Sequence, residues 1–233
     1  MQILKTSKLN LLKRCGIFFL ALWTAVTLIT PSALLAKAAF ALSFPILAYY
    51  YTALCLSPDF SGRDLLRLFV LSVILQPLYL CLAYPGAFSE HLFHLNPFFT
   101  LTAGALCIYG FHRRNWGCLA IGIIASITLQ TSFGLGGVIL MLVFYMFRGH
   151  KTGGFFICFI LLGSLFFTGI LNQAPTLSSS GLSFPRPSFD FVFLGLPLDS
   201  RGFSVFALPL IWAVARSHLF SSPVNPFPCS QVE

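Results

Sequence analysis

The sequence predicts an all-α polytopic membrane protein with about eight transmembrane helices and both termini in the cytoplasm. Two observations lead to this fold class. Of the 233 residues, 57% are hydrophobic and only 9% are charged, and the basic residues are confined to alternate gaps between apolar blocks. A soluble domain usually carries about a quarter charged residues. Most of this chain must therefore be solvated by lipid or by its own helices.

Eight apolar blocks approach or reach the length that crosses a bilayer, which is about 20 residues, or about 17 when flanking groups snorkel. The blocks cover residues 13–31, 35–56, 65–84, 97–111, 116–131, 134–147, 155–171 and 203–216. The segment 191–198 is too short and too rich in Pro and Gly to be a ninth helix. The blocks and the gaps between them are expected to form one transmembrane domain over residues 1–216.

The basic residues give the orientation. Of 14 Lys and Arg, eleven precede the first block or occupy alternate gaps after it: Lys5, Lys8, Lys13, Arg14, Arg63, Arg67, Arg113, Arg114, Arg148, Lys151 and Arg216. The intervening gaps hold only Arg186 and Arg201, and Lys37 lies inside the second block. The positive-inside rule places the basic gaps in the cytoplasm. Residues 172–202, rich in Ser, Pro and Gly, then form an irregular outer loop, and residues 217–233 a disordered cytoplasmic tail.

The net charge of +8 could also suggest nucleic acid as a partner. The charges, however, form short clusters beside apolar blocks, without an aromatic-interleaved basic stripe, so topology explains them and no nucleic-acid binding is expected. Anionic lipid headgroups of the bilayer are the natural partners. Residues 1–38 also imitate a signal peptide, with Ala36-Lys37-Ala38 as a small-x-small site. The Lys within that site and the long basic stretch favour a retained first helix.

The third block carries a polar stripe. Ser72, Gln76 and Tyr79 lie at positions i, i+4 and i+7, which places them on one face of a helix. A polar stripe in lipid must face protein, so Gln76 either bonds helices together or lines a polar cavity. The fifth block has small and polar residues at every fourth position, which predicts a close-packed helix seam; these are Cys118, Gly122, Ser126 and Gln130.

The loop after the third block holds the densest group of proton-handling residues, Glu90, His91 and His94. Because the pKa of His lies closest to neutrality, either imidazole could act as a general base. The alternative is that both are solvated loop histidines. Two His and one Glu leave a zinc site incomplete, and the seven Cys show no metal-ligand spacing, so no metal site is expected.

Three motifs occur in order between residues 11 and 150. They are Phe44-Pro45-Ile46-Leu47-Ala48, the stretch from Arg67-Leu68 through Gln76-Pro77-Leu78-Tyr79 to Asn96-Pro97-Phe98-Phe99-Thr100-Leu101, and Ser132-Phe133-Gly134-Leu135-Gly136-Gly137-Val138. In order and spacing they resemble the TraX family of conjugation-associated membrane proteins. The resemblance implies a multi-pass protein of the bacterial inner membrane, related to multi-helix O-acyltransferases, whose best-known member acetylates pilin.

If the chain is a TraX-like acyltransferase, single residues would take the following roles. Arg67 would bind the phosphate of an acetyl-CoA donor near the cytoplasmic face, Gln76 and Asn96 would line the path, and His91 or His94 would serve as the base. No permanently bound cofactor is expected, and acetyl-CoA would be the donor of an active enzyme. The partners would be pilin or pilus-assembly proteins.

The chain departs from the family where the chemistry is expected. Trp23-Thr24 stands where the family carries Asp-His, Ala41-Leu42 where it carries Gly-Arg, and Ser132 where it carries an acidic residue. Losing a general base and its carboxylate removes about 10²–10⁴ of rate. Three functions therefore stay open: a TraX-like N- or O-acetyltransferase with a degenerate site, a non-catalytic membrane scaffold or assembly partner, and a small transporter. No Asp or Glu lies inside an apolar block, which argues against ion-coupled transport.

Overall fold

The computed structural model describes residues 2–29, 34–57, 60–84, 94–128, 133–147, 156–158, 160, 191–193, 196–198 and 200–214. The N-terminal part of the chain is helical, and its helices are α1 (Gln2–Ile29), α2 (Leu34–Cys55), α3 (Gly62–Ala83), α4 (Pro97–His112), α5 (Trp116–Thr128) and α6 (Gly134–Met146). Towards the C-terminus, strands β1 (Phe191–Phe193) and β2 (Leu196–Leu198) precede a 3₁₀ helix (Ser200–Ala207) and helix α7 (Leu208–Val214).

Within the described residues, three segments are long and apolar enough to cross a membrane: Leu9–Ile29, Leu35–Cys55 and Gly62–Ala83. Helices α5 and α6 are apolar but have 13 residues each, fewer than the roughly 20 needed to span a bilayer. The protein is therefore a helical membrane protein, and the count of eight crossings stays a prediction. The predicted block 155–171 lies mostly outside the described residues, as does the tail 217–233.

Three features of the fold differ from the sequence prediction. Helix α1 begins at Gln2 and not near residue 13, because the Lys, Leu and Gln residues before the apolar block are good helix formers. The block 203–216 is divided between the 3₁₀ helix and the seven residues of α7. The loop 172–202 is wrongly predicted as irregular where β1 and β2 pair antiparallel, with Phe191 opposite Leu198. Two short apolar runs separated by two residues, one of them Gly195, have hairpin spacing.

Helix α2 is the central helix, since 67% of its span is buried, against 17% for α1 and 33% for α3. Helix α1 runs antiparallel to it. The ring centroids of Trp23 and Phe40 are 5.0 Å apart at one end of the pair, and the Lys13 ammonium lies 5.9 Å from the centre of the Tyr50 ring at the other. Helix α6 runs parallel to α2, and the stacked rings of Phe44 and Phe133 have centroids 3.8 Å apart.

Helices α4 and α5 form a tight hairpin. Arg114, in the turn, adopts a left-handed backbone with a φ of 54°, and the Asn115 N–H donates to the Gly110 carbonyl at 2.8 Å. This is the bond pattern of a helix C-cap with a left-handed residue. Gly122 then lies against Cys107 of α4. Gly122 and Ser126 are the buried residues of α5, which confirms the predicted packing seam; Gln130 lies outside the described residues.

Candidate functional site

The amide of Gln76 holds the segment that enters α4. Its Nε2 donates to the His94 carbonyl at 2.8 Å, and its Oε1 accepts from the Asn96 N–H at 2.9 Å. One side-chain amide thus satisfies two main-chain groups on either side of Leu95, as a neighbouring peptide group would. Buried main-chain groups in a membrane have no water to pair with, so this bonding stabilises an otherwise costly segment.

Asn96 extends the same bonded group, here named the amide cluster (Ser72, Gln76 and Asn96). Asn96 is 1% exposed. Its Nδ2 donates to the Ser72 carbonyl at 2.7 Å, and its Oδ1 accepts from the Phe98 N–H at 2.9 Å. The second bond makes Asn96 the N-cap of α4, where Asn is among the preferred residues.

Ser72 and Tyr79 complete the predicted polar stripe. Ser72 is fully buried and its Oγ lies 3.0 Å from the Thr102 Oγ1 of α4, while Tyr79 is 8% exposed and packs near Trp23 and Phe40. The prediction that the stripe faces protein is confirmed. The bonds of Gln76 favour the interpretation that it joins structural elements over the interpretation that it lines a polar cavity.

Replacing Gln76 with Leu is expected to lower stability modestly. The variant loses two hydrogen bonds and leaves the His94 carbonyl and the Asn96 N–H without this partner; such bonds in membrane proteins average about 0.6 kcal/mol and reach about 2 kcal/mol. Thermal unfolding in detergent measures the change. The control is Thr128→Val, which also replaces a polar side chain by an apolar one, at an exposed position of α5 where the hydroxyl bonds only to its own helix. Stability that is unchanged or raised in Gln76→Leu would contradict the joining role.

The histidines are divided between described and undescribed residues. His94 is half-buried, and its ring centroid lies 5.3 Å from that of Tyr84. His91 and Glu90 lie outside the described residues. His112 is at the other end of the bundle, with its Nδ1 3.5 Å from the Tyr145 hydroxyl. Of the two candidate bases, His94 is thus placed beside the amide cluster, at the end of the bundle remote from His112.

Arg67 is remote from the amide cluster. It lies nine residues before Gln76 on α3, which is about 14 Å along a helix axis at 1.5 Å per residue. Its Nη1 is 3.1 Å from the Asp64 Oδ1, and its side chain is 80% exposed. The Asp64 carboxylate also accepts from the Ser61 N–H at the start of α3, as in a capping box. Gln76 and Asn96, which were expected to line an acyl path, thus lie together. Arg67, which was expected to bind the donor phosphate, lies near the opposite end of α3.

A cavity of about 90 Å³ lies between α1, α2, α3 and the start of α4. We name it the Trp23 notch. Its walls are mainly the side chains of Trp23, Phe40, Leu75, Leu78 and Phe98, with Thr24 and Asn96 among the remainder. This cavity could not be predicted from the sequence, because its aromatic walls come from four helices and share no periodicity. Trp23 and Thr24 are also the residues that the motif resemblance sets opposite the Asp-His pair of TraX proteins.

No group of three or more His, Cys, Asp or Glu side chains within the described residues could hold a metal ion. The six described cysteines are free thiols. Cys55, Cys107 and Cys158 are buried, as expected for small core hydrophobes. Among the described part of the chain, the polar chemistry of the bundle interior is therefore that of hydroxyls and amides.

Comparison with protein-family models, with curated proteins and with solved structures finds no match to this chain. The similarity to TraX proteins thus depends on the three motifs alone, and a functional proposal depends on the geometry of the residues that those motifs contain.

Proposed function

We propose that this chain is a TraX-like multi-pass scaffold that retains the helical bundle of an acyltransferase relative and works as an assembly partner without transferring acetyl groups. The observation that carries the proposal is the bonding of Gln76 and Asn96 to the chain's own main chain and to Ser72. A substrate that used these amides would have to break bonds worth about 0.5–1.5 kcal/mol each. Groups already committed in this way are poorly suited to orient a reacting acyl group.

Two further features support the scaffold proposal. At the positions of the family's Asp-His pair, Trp23 packs against Phe40, and the Thr24 hydroxyl donates to the Leu20 carbonyl at 3.0 Å, so neither residue supplies a base. Arg67, the proposed phosphate ligand, lies 3.1 Å from the Asp64 carboxylate, whose negative charge disfavours the approach of a phosphate. The partners proposed from the family resemblance are pilin or pilus-assembly proteins, with anionic headgroups beside the basic turns.

A measurement of acetyl-CoA binding tests the scaffold proposal directly. Purified full-length protein titrated with acetyl-CoA in a calorimeter is expected to give no saturable heat. Saturable binding that Arg67→Ala weakens, and that the nearby Arg63→Ala does not, would overturn the proposal. Arg63 is a suitable control because it is an exposed arginine in the first turn of the same helix.

The proposed topology has eight crossings of the bacterial inner membrane with both termini in the cytoplasm. Single cysteines introduced into a Cys-less background at Ser179 and at Asn115 test it. Cysteine at Ser179, which lies outside the described residues, is expected to react with a membrane-impermeant maleimide in intact spheroplasts. Cysteine at Asn115, in the Arg113-Arg114 turn, should react only after the membrane is opened. Reaction at Ser179 only after opening would contradict the topology.

An acetyltransferase with a substitute base is the second candidate, because His94 lies beside the amide cluster, with its carbonyl bonded to Gln76. If transfer occurs, changing His91 and His94 together to Gln is expected to lower its rate about 10²–10⁴-fold, since Gln keeps polarity but takes no proton. His112→Gln, at the other end of the bundle, is the matched control. If the double variant keeps a full pilus-assembly phenotype, the catalytic candidate fails and the scaffold proposal is supported.

A further inference from the structure

The shape of the Trp23 notch limits what can occupy it. A volume of about 90 Å³ is far too small for another helix, which is about 10–12 Å across with its side chains. It admits a slender group, such as the chain of a lipid. A flat apolar helix face, in contrast, would accept a partner helix as well as it accepts a lipid chain.

The polar side chains of the notch offer little to a polar ligand or to water. The Thr24 hydroxyl donates to the Leu20 carbonyl, and both ends of the Asn96 amide are bonded, to Ser72 and Phe98. Tyr79 stacks its ring against Phe40, with centroids 6.2 Å apart. A buried water typically needs two to four polar partners, so this cavity favours an apolar occupant.

The notch also lies where a lipid chain can reach it. Leu78, one of its walls, is 50% exposed. It belongs to the outward apolar face of α3 together with Leu71 and Ile74, which are 37% and 66% exposed and are spaced at helical positions i, i+3 and i+7. That face crosses the bilayer in a span of mean hydropathy 2.0. The notch is thus bordered by a surface that lipid chains already cover.

We propose that the Trp23 notch is a binding site for one hydrocarbon chain of a membrane lipid. A hydrocarbon chain in the notch contacts its apolar wall atoms. It supplies the dispersion contacts that an empty cavity lacks. The site goes beyond the scaffold proposal, because it requires neither acetyl transfer nor an assembly partner. It also gives Trp23 a role that the family's Asp-His pair could not perform, since a charged pair in this position would be costly against hydrocarbon.

Quenching of Trp23 by brominated lipid tests the site. The full-length protein carrying Trp116→Phe and Trp212→Phe, so that Trp23 is its one tryptophan, is reconstituted into phosphatidylcholine containing a rising fraction of phosphatidylcholine brominated on one acyl chain. Strong quenching of Trp23 is expected. A second reporter protein with Ile74→Trp, in which all three native tryptophans are Phe, measures ordinary lipid contact on the outward face of α3.

Two variants of Thr24 separate occupancy of the notch from general lipid contact. Thr24→Phe places a ring in the cavity and is expected to abolish most of the Trp23 quenching, whereas Thr24→Val keeps the volume and should leave it intact. Neither change should affect the Ile74→Trp reporter. If Thr24→Phe does not fold, Leu20→Phe fills the notch from one turn earlier on α1. Absence of Trp23 quenching while the reporter is quenched, or quenching that survives the filling variants, overturns the proposal.

Discussion

Replacing Gly122 with Leu is expected to prevent α4 and α5 from packing and to reduce the yield of folded protein severely. A Cβ atom at Gly122 would lie 2.5 Å from the Cys107 Sγ and 2.9 Å from the Ala103 carbonyl oxygen. The carbonyl belongs to the backbone of α4 and cannot rotate away, so the two helices must separate. Overpacking commonly costs about 1–3 kcal/mol, and the remaining Leu atoms push this variant towards or beyond the upper end.

Gly136→Leu is the matched control. It makes the same chemical change on α6, where a Cβ atom would have nothing within 4 Å. Because Leu is the better helix former by nearly 1 kcal/mol, this variant should be neutral or slightly stabilised. Size-exclusion profiles and thermal unfolding in detergent measure both proteins. Equal behaviour of Gly122→Leu and Gly136→Leu would show that the α4–α5 contact is wrongly placed.

The packing seam of α5 could be predicted from the sequence for a simple physical reason. Small residues at every fourth position mark one face of a helix, and in lipid a face without bulky groups is useful chiefly for close packing. The polar stripe of Ser72 and Gln76 follows the same logic, because unpaired polar groups in hydrocarbon are costly. Local periodicity therefore predicted which faces of α3 and α5 turn inward, and the contacts with α4 confirm it.

The partners of Gln76 and the Trp23 notch depend on contacts between distant parts of the chain. The periodicity of a single helix does not predict such contacts. The partners of Gln76 are main-chain groups at residues 94 and 96, which no side-chain pattern identifies. The Trp23 notch needs Phe40 and Leu78 from two further helices. The Pro and Gly of segment 191–198 predict only that it is too broken for a helix, and they do not predict the antiparallel pairing of β1 with β2. The sequence thus predicted helix faces well, and predicted enclosed spaces and loop structure poorly.

The amide cluster combines a feature that periodicity predicts with contacts that it does not predict. Gln76 alone predicts only that a polar side chain must face protein. Together with Asn96, it explains how the segment between α3 and α4 keeps its main-chain groups bonded where α4 begins. Residues in the motifs that resemble TraX proteins can thus serve the fold itself, as Gln76 and Asn96 do through their bonds to the main chain. The scaffold proposal and the motif resemblance are compatible for this reason.

Replacing Asn96 with Ala is expected to destabilise the protein by about 2–3 kcal/mol. The loss combines the N-cap bond to the Phe98 N–H, worth about 1 kcal/mol, with the buried bond to the Ser72 carbonyl, worth about another 1 kcal/mol, and with the space that the amide leaves. Asn115→Ala is the matched control, because the Asn115 Oδ1 accepts from the Cys118 N–H at 3.2 Å in an exposed turn. Its cost should be about 0.5–1 kcal/mol.

The double variant Gln76→Leu/Asn96→Ala distinguishes a structural unit from two independent residues. Both side chains hold the same short segment at the start of α4. Once one side chain is removed, this segment is already partly disordered, so removing the other costs less. The two losses are therefore expected to be less than additive, by about 0.5 kcal/mol or more, as is usual for residues in one hydrogen-bond network. Thermal unfolding of the four proteins in one detergent gives the coupling. Strictly additive losses, or a stable Asn96→Ala variant, would mean that these amides do not hold the entry of α4 and would return them to the candidate acyl path.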